Sequence, residues 1–278
     1  MVATGNRKWS ENTAATTLNG NEILYLSQGG ADVYTRYSGD LTPQMFATTT
    51  SDVASGTTSA TTAVQRMYTE AGLTGKRARL LAGTYLCDAD INIPVGATTV
   101  DTQGDGQNSI IKFTGSGVTK GLYFNGVTGY QYCGALRDVK VLGTASAPRG
   151  VTYSHVYQAR AERVIVQTFL GAGMYFDNTL MSDVSHCLFG GSGSATEGTI
   201  VVDNSTTWMW RHNYISGGAA AKSCGLMLDT SGGITIVGGA IESTLKPIKA
   251  SSKAGRASGV SQVSIMGLDM ENPGNNPY

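Results

Sequence analysis

Charged residues are scarce in this 278-residue chain, in which Lys, Arg, Asp and Glu together make up 14%. The 20 basic residues equal the 20 acidic ones, so the net charge favours neither a nucleic acid nor an anionic membrane as a partner. No apolar run approaches the ~20 residues that span a bilayer, and the first residues lack the apolar core of a signal peptide. We therefore expect a soluble protein made in a cytoplasm, with a neutral, polar partner and no membrane insertion.

Cysteine and histidine are also rare, with four and three residues. The four cysteines are Cys87, Cys133, Cys187 and Cys224. They form no CxxC pair, and two lie within apolar strand patterns, which favours buried thiols over disulfides or a metal site. No third ligand is evident near His186 and His212 either, so we expect no metal and no cofactor.

Glycine, in contrast, is abundant, and its 37 residues accompany many Thr, Ser, Val and Ala residues, a bias toward turns and β-strands. Pairs of alternating apolar residues recur at intervals of 22 to 29 residues, as expected for one face of a short strand in each repeat. These pairs are Leu122/Phe124, Val151/Tyr153, Met174/Phe176, Ile200/Val202, Leu226/Leu228 and, more weakly, Ile248/Ala250.

Two further apolar columns share one set of spacings, which are 20, 26, 26 and 29 residues. The first column is Val164, Val184, Trp210, Ile236 and Ile265, and the second is Phe169, Phe189, Ile215, Ile241 and Met270. Because each insertion moves both columns together, the pattern predicts a parallel β-solenoid in which one repeat forms one coil. A β-sandwich is the alternative, although its strands need not repeat in sequence.

A short amphipathic helix is predicted ahead of the solenoid, in the segment SATTAVQRMYTEAG. Its apolar residues at helical spacing are Ala63, Val64, Met67, Tyr68 and Ala71, and Gly72 is expected just beyond its end. A helix laid across the first coil would cover strand edges that otherwise stay unpaired. The segment from Ala78 to Phe113 then predicts the four or five short strands of the first coils.

The order of motifs in AGTYLCDADINIPVGATTVDTQGDGQNSIIKF resembles the opening coils of the pectate-lyase-like β-helix superfamily. A strand, Gly-Thr-Tyr, Ile-Pro-x-Gly, a Gly-x-Gly turn and a strand with paired Ile follow one another in that family. The preceding FATTTSDVASGTTSATTAVQ is similar to the family's segment before the helix, although its acid-rich motif is reduced here to Ser and Thr. The resemblance implies an all-β, right-handed parallel β-helix over residues 46–278, with an N-terminal capping helix.

The segment LNGNEILYLSQGGADVYTRYSGDL is similar to a short module of phage tail fibres and tailspikes. Its residues predict a hairpin, with strands from Ile23 to Ser27 and from Asp32 to Tyr37 around Gly29 and Gly30. The resemblance implies a homotrimeric virion tail protein made in the bacterial cytoplasm. Residues 1–45 would then attach to other tail or baseplate proteins, and the β-helix would bind host lipopolysaccharide or capsule. Members of this family often cleave that polysaccharide, by hydrolysis or elimination.

Three aspartates, Asp177, Asp203 and Asp229, recur at 26-residue intervals where repeated strands end. Glycoside hydrolysis uses two carboxylates about 5 Å apart for retention or roughly 6.5 to 9.5 Å apart for inversion. Stacked coils place equivalent residues ~4.8 Å apart per step, which suits either mechanism. The aspartates also precede expected turns, where such side chains bond to nearby backbone, and this structural role is the stronger interpretation.

A second group of polar residues lies around the second strand of each repeat. It comprises Asp183, His186, Arg211, His212 and Glu242, with Glu242 expected directly over Glu271. The group predicts either a substrate site, in which Arg211 and His212 bind the ligand and the glutamates act as acid and base, or a solvated polar face. Since elimination would need a basic residue beside a cluster of acids that we do not find, enzyme activity stays open.

Three aromatic residues, Tyr157, Trp208 and Tyr214, are candidate platforms for sugar rings. Tyr153 and Trp210 fall in predicted core columns and are set aside. The sequence thus favours a tail protein that binds, and in one variant depolymerises, host polysaccharide. The alternatives are a structural fibre segment that carries a separate receptor-binding tip and a cellular pectin-type lyase, which the missing signal peptide disfavours.

Overall fold

The computed structural model describes residues 23–28, 31–36, 39–47, 53–97, 99–127, 129–144, 146–194, 196–216, 224–251 and 259–271. The chain divides into two compact units, Met1–Asp40 and Leu41–Tyr278. In the first unit, strand β1 (Ile23–Gln28) pairs antiparallel with β2 (Ala31–Arg36), which confirms the two predicted hairpin strands. The predicted turn at Gly29 and Gly30, the end of the second strand at Tyr37 and residues 1–22 of the expected attachment segment lie outside the described residues.

The second unit begins with a 3-10 helix (Pro43–Phe46), strand β3 (Ser55–Ser59) and helix α1 (Thr61–Thr74). The five apolar residues predicted for the buried face of α1 are all buried, so that prediction is confirmed. The predicted end at Gly72 is wrong, because α1 continues to Thr74 and ends at Gly75, whose φ of 68° is left-handed. Gly72 instead allows close packing, since a Cβ there would lie 2.7 Å from Pro94.

Side chains of helix α1 also form hydrogen bonds with the backbone of the first coil. The Gln65 side chain accepts a hydrogen bond from the Asn92 N–H at 2.8 Å and donates one to the Asn92 carbonyl at 2.9 Å. The Thr61 hydroxyl accepts from the Asp88 N–H at 2.9 Å. These bonds satisfy backbone groups that a neighbouring strand would otherwise pair, as expected of a helix that caps a solenoid.

The solenoid consists of 21 further strands in the described part of the chain. They are β4 (Ala78–Leu80), β5 (Gly83–Ile93), β6 (Thr102–Gly104), β7 (Ser109–Asn125), β8 (Gln131–Tyr132), β9 (Ala135–Arg137), β10 (Lys140–Leu142), β11 (Val151–Ser154), β12 (Val156–Tyr157), β13 (Arg160–Glu162), β14 (Ile165–Gln167), β15 (Met174–Asp177), β16 (Leu180–Ser185), β17 (Leu188–Gly190), β18 (Ile200–Asp203), β19 (Thr206–Ser216), β20 (Leu226–Asp229), β21 (Gly232–Glu242), β22 (Ile248–Ser251), β23 (Ser261–Met266) and β24 (Asp269–Glu271). These strands pair in parallel from coil to coil, and the unit is a right-handed parallel β-helix, as predicted.

Three parallel sheets form the faces of the β-helix. Sheet A contains the C-terminal parts of β5 and β7 followed by β11, β15, β18, β20 and β22. Sheet B contains β4, β6, β8, β9, β12, β13, β16, β23 and the first parts of β19 and β21. Sheet C contains β10, β14, β17, β24, the N-terminal parts of β5 and β7, and the last parts of β19 and β21.

The predicted apolar pairs of the first column stack in sheet A, where Phe176 lies between Tyr153 and Val202, and Leu228 follows Val202. The later parts of the other two columns are confirmed as well. Sheet B stacks Val184, Trp210, Ile236 and Ile265 in that order, and sheet C stacks Phe189, Ile215, Ile241 and Met270. Stacking of equivalent residues from coil to coil therefore builds the core, as the repeat predicts.

One coil departs from the predicted register, because the predicted columns begin at Val164 and Phe169. The residues that stack are Ala161 with Val184 and Val166 with Phe189. Both spacings are 23 residues, equal to that between Val151 and Met174 in sheet A. The prediction is wrong by three positions because Val164 and Phe169 are buried next to the corners, so their apolar character imitates that of strand residues.

Aromatic rings stack along the core from one coil to the next. The ring centroids of Phe124 and Tyr153 lie 4.5 Å apart, those of Tyr153 and Phe176 lie 5.1 Å apart, and Trp208 meets Phe176 edge-on at 5.6 Å. Each such pair stabilises a core by about 0.5–1.5 kcal/mol beyond its burial. All four cysteines are buried thiols, as expected, and burial raises the pKa of Cys87 to about 12. No helix in the described ranges is long and apolar enough to cross a membrane.

Candidate functional site

The aspartate column lies at the corner where sheet A ends, with Asp177, Asp203 and Asp229 in register on successive coils. The residue after each aspartate turns the chain through a left-handed conformation, with φ of 51° at Asn178 and 47° at Asn204. Asp203 is 2% exposed and Asp229 is 3% exposed. The alignment and the turns agree with the sequence, and the burial favours the structural role over catalysis.

Hydrogen bonds hold the column in place. The Tyr175 hydroxyl donates to Asp203 at 2.9 Å, and the Asn178 side chain donates to Asp177 at 2.7 Å. The Thr230 hydroxyl donates to Asp229 at 3.1 Å. These carboxylates therefore act as acceptors for groups of their own corner, as short polar side chains do in turns.

Neighbouring residues cover the outer side of the column. The Arg149 guanidinium lies 3.6 Å from the centre of the Tyr175 ring and bonds Glu197 at 2.7 Å. Tyr175 packs with Ala172 and Val201, and burial, reinforced by Asp203, raises the pKa of its hydroxyl. The hydroxyl stays protonated and keeps donating to Asp203, so this corner offers a substrate no open carboxylate pair.

The outer face of sheet B is different, because it carries an open groove of about 230 Å³. The groove is lined by Arg137, Arg160, Ala161, Glu162, Asp183, Ser185, His186 and Arg211. It brings together three residues of the second predicted group, namely Asp183, His186 and Arg211. His212 lies beside it, and Glu242 belongs to sheet C.

The apolar pattern of the sequence does not indicate Arg160, Arg137 or Glu162 as groove residues, because it sets Val164 instead of Ala161 beside Val184. Once Ala161 is set beside Val184, Arg160 falls next to Asp183. The same step puts Glu162 beside Arg137 and Ser185. In the correct register, Arg160 and Glu162 point outward on either side of the inward Ala161. This alternation would have indicated a charged outer face on the strand.

Most charged side chains of the groove form ion pairs. Arg211 bonds Asp183 through two nitrogens, one at 3.2 Å. Arg137 lies 3.5 Å from Asp101 and 3.4 Å from Glu162.

Just outside the groove, Arg163 bonds Asp138 at 2.6 Å and also bonds Glu162. The bond from Arg163 holds the pKa of Asp138 below its ordinary value, with a further bond from Gln103. Arg160 differs from these arginines, because no carboxylate of the described ranges lies within ion-pair distance of its guanidinium.

The two histidines mark the corner between sheets B and C. His186 and His212 have φ of 54° and 50°, and their ring centroids lie 5.6 Å apart. On the next coil Gly238 takes the same corner, where a Cβ would lie 2.5 Å from His212 Nδ1. The equal spacing of the histidines thus reflects a repeated left-handed corner, and only His186 also lines the groove. No group of three or more His, Cys, Asp or Glu residues that could hold a metal ion occurs in the part of the chain that the structure describes.

The aromatic candidates divide between core and surface. Trp208 is 1% exposed and packs against Phe176 and Trp210, which argues against the stacking role expected from the sequence. Tyr157 instead forms an outward pair with Tyr132, with ring centroids 5.2 Å apart, and Tyr132 is 57% exposed. The pair lies on β8 and β12, the strands immediately before the groove.

Tyr214 and the glutamates form a third arrangement on sheet C. Glu242 pairs in register with Glu271, as predicted, and Glu271 is exposed. The Tyr214 hydroxyl donates to Glu242 at 2.5 Å, and this bond raises the pKa of Tyr214. Two carboxylates one coil apart at the surface are more accessible than the aspartate column.

This β-helix is similar to the folds of several phage proteins, including tailspikes. The chain is similar to an N-terminal fragment of gene product 12 of bacteriophage phi29, with 17% identity and a TM-score of 0.60 over 83% of this chain and 41% of that one. It is also similar to ORF18 of Geobacillus virus E2, with 12% identity and a TM-score of 0.55 over 91% of this chain and 69% of that one. The Dettilon tailspike protein gp208 gives 13% identity and a TM-score of 0.55 over 86% of this chain and 53% of that one.

These likenesses show the fold that the chain shares with three phage proteins, one of which is a tailspike. The chain spans less than half of the phi29 fragment and about half of the Dettilon tailspike. No family model matches the sequence, and no curated protein does.

Proposed function

We propose that this chain is part of a phage tailspike or tail fibre that binds host surface polysaccharide through the outer face of sheet B. The observation that carries the proposal is the open groove with its ring of charged residues, next to the outward pair of Tyr132 and Tyr157. Tyrosine rings offer flat apolar surface to sugar rings, and charged groups fix their hydroxyls. The similarity of the fold to tailspike proteins supports the same role.

The virion setting gives the partners of such a protein. Residues 1–45 would attach to other tail or baseplate proteins, and residues 46–278 would present the β-helix to lipopolysaccharide or capsule. Three copies would assemble into the particle, which is built in the bacterial cytoplasm. No nucleic acid takes part in this proposal.

If the chain cleaves its polysaccharide, Glu242 and Glu271 are the acids that we place in the reaction. Adjacent coils set equivalent residues about 4.8 Å apart, a separation that suits a retaining hydrolase. Tyr214 would keep Glu242 oriented through its hydrogen bond. The buried aspartate column would then serve the fold.

A structural fibre segment without activity is the second candidate. This candidate is favoured because the carboxylates already accept hydrogen bonds from the protein. The aspartates of the column accept bonds from neighbouring side chains, and Asp183 accepts bonds from Arg211. Such a segment would hold a separate receptor-binding tip away from the particle.

The two candidates are separated by incubating the purified protein with lipopolysaccharide or capsule from candidate hosts. Binding is measured by surface plasmon resonance, hydrolysis by new reducing ends and elimination by the absorbance of an unsaturated sugar. We expect binding, and we expect any hydrolysis to be lost in the Glu242→Gln/Glu271→Gln variant. A folded Asp203→Asn/Asp229→Asn variant is the matched control and should keep it. Absence of binding to every surface polysaccharide of a host that the phage infects would favour the fibre segment.

A further inference from the structure

The groove on sheet B carries a net positive charge in an otherwise neutral protein. Three arginines, Arg137, Arg160 and Arg211, face the two carboxylates of Glu162 and Asp183. The surplus charge can be assigned to one residue, because Arg137 and Arg211 already bond carboxylates. Arg160 is exposed and forms no ion pair with any described residue.

Arg160 lies close to the tyrosine pair along the chain, on the other side of one corner. Strand β16 runs alongside both preceding strands, so that its Leu180 pairs with Tyr157 and its Asp183 pairs with Arg160. The chain turns between these pairs, at Gln158 and Met181 with φ of 60° and 54°, so three residues set an upper limit of about 10 Å on the distance from Tyr157 Cα to Arg160 Cα. A disaccharide covers this span, with one ring on the tyrosines and a substituent of the next ring in the groove.

The neighbours of Arg160 limit the charge of the group it can bind. Glu162 and Asp183 line the same groove and repel a second negative charge. A singly charged group matches the single surplus cation, and the planar guanidinium presents paired N–H donors to the two oxygens of a carboxylate.

We propose that Tyr132, Tyr157 and Arg160 form a subsite for an acidic saccharide, in which the exposed Tyr132 ring stacks on a sugar ring, Tyr157 supports it edge-on and Arg160 binds the carboxylate of the adjacent sugar. The proposal rests on the polysaccharide-binding function above and names the class of glycan. It also replaces the neutral partner that composition favours by an acidic one. The net charge of the whole chain is zero, but the groove has one more arginine than carboxylates.

The test uses the full chain and four probes, measured by isothermal titration calorimetry. The acidic probes are oligogalacturonate and oligosialate, the neutral probe is carboxyl-reduced oligogalacturonate, and the phosphodiester probe is a glycerol-phosphate oligomer. We expect at least one acidic probe to bind tenfold or more tightly than the neutral one. Arg160→Gln should remove that preference, and Arg66→Gln, which deletes the same charge from the exposed face of α1, should preserve it.

Three results would overturn the inference. They are equal binding of the reduced and acidic oligomers, an unchanged preference in Arg160→Gln, and binding of the phosphodiester probe alone. The inference also fails, while the proposed function stands, if the protein binds a neutral host polysaccharide and none of the acidic probes. Binding of no probe and of no host polysaccharide would remove both.

Discussion

The aspartate column of sheet A and the groove of sheet B result from the same stacking of coils, yet they differ in access to solvent. In the column, Tyr175 and Arg149 lie over the carboxylates, and Asp203 is buried. In the groove, Asp183 and Arg160 point into an open depression. Repetition therefore sets which side chains are aligned, whereas the segments between strands decide which of them a ligand can reach.

The largest contrast is expected from removing one aspartate at each place. Asp203→Ala should lower the free energy of unfolding by about 2–4 kcal/mol, because it deletes a buried acceptor and leaves the Tyr175 hydroxyl without its partner. Asp183→Ala removes only a half-exposed ion pair and should cost less than about 1 kcal/mol. Denaturant titrations monitored by circular dichroism measure both, and equal losses would abolish the distinction.

The corner itself can be tested at Asn204, whose φ is 47°. Asn204→Ala should cost about 1–2 kcal/mol, because a left-handed conformation is strained for an alanine. Asn204→Gly is the matched control, since glycine adopts this conformation without strain, and it should lose less. If the alanine variant were the more stable of the two, the corner would not be what holds the column.

The groove should respond in binding more than in stability. Asp183→Asn removes one of its two carboxylates and releases Arg211, so we expect a Tm within a few degrees of the wild type and a several-fold tighter Kd for oligogalacturonate. Calorimetry at low and high salt checks this, because the gain should shrink as salt screens the charges. Weaker binding would show that Asp183 itself contacts the saccharide.

The smallest effect is expected beside the groove, at the pair of Arg163 and Asp138. The hydrogen bond from Arg163 lowers the pKa of Asp138 in the folded state. The pair therefore stabilises the folded protein at pH values above the ordinary pKa of the carboxyl group, which is about 4. That contribution is lost as the pH falls through the lowered folded-state value. Asp138→Asn should therefore show a slightly smaller fall of Tm between pH 5 and pH 3 than the wild type, and an identical fall would contradict the pairing.

Much of the fold could be predicted from the sequence, because alternating apolar residues at a regular interval specify both strands and coils. The alignment of the aspartates and of Glu242 with Glu271 followed from that interval. The register failed where Val164 and Phe169 are buried at corners, since periodicity alone does not separate a corner residue from a strand residue.

The site was predicted less completely than the fold. Because the predicted register was wrong by three positions, Arg160 and its neighbours were not predicted as groove residues. Their place beside Asp183 and Ser185 follows only when Ala161 is paired with Val184. The burial of Trp208 was also missed, since its place in the strand follows from the corner at Thr207, which has a φ of 55°. Accessibility depends on corners and covering segments, and these leave weak signals in a sequence.

The open face of sheet B, and not the aspartate column, is the surface that we expect to bind the polysaccharide. The most direct measurement is the Kd of the Tyr132→Ala/Tyr157→Ala variant for a polysaccharide that the wild-type protein binds, with Tm recorded on the same samples. We predict a loss of affinity of about tenfold or more at nearly unchanged Tm, because the exposed stacking ring of Tyr132 and its edge-on partner Tyr157 are removed from the surface. Wild-type affinity in this folded variant would contradict the account.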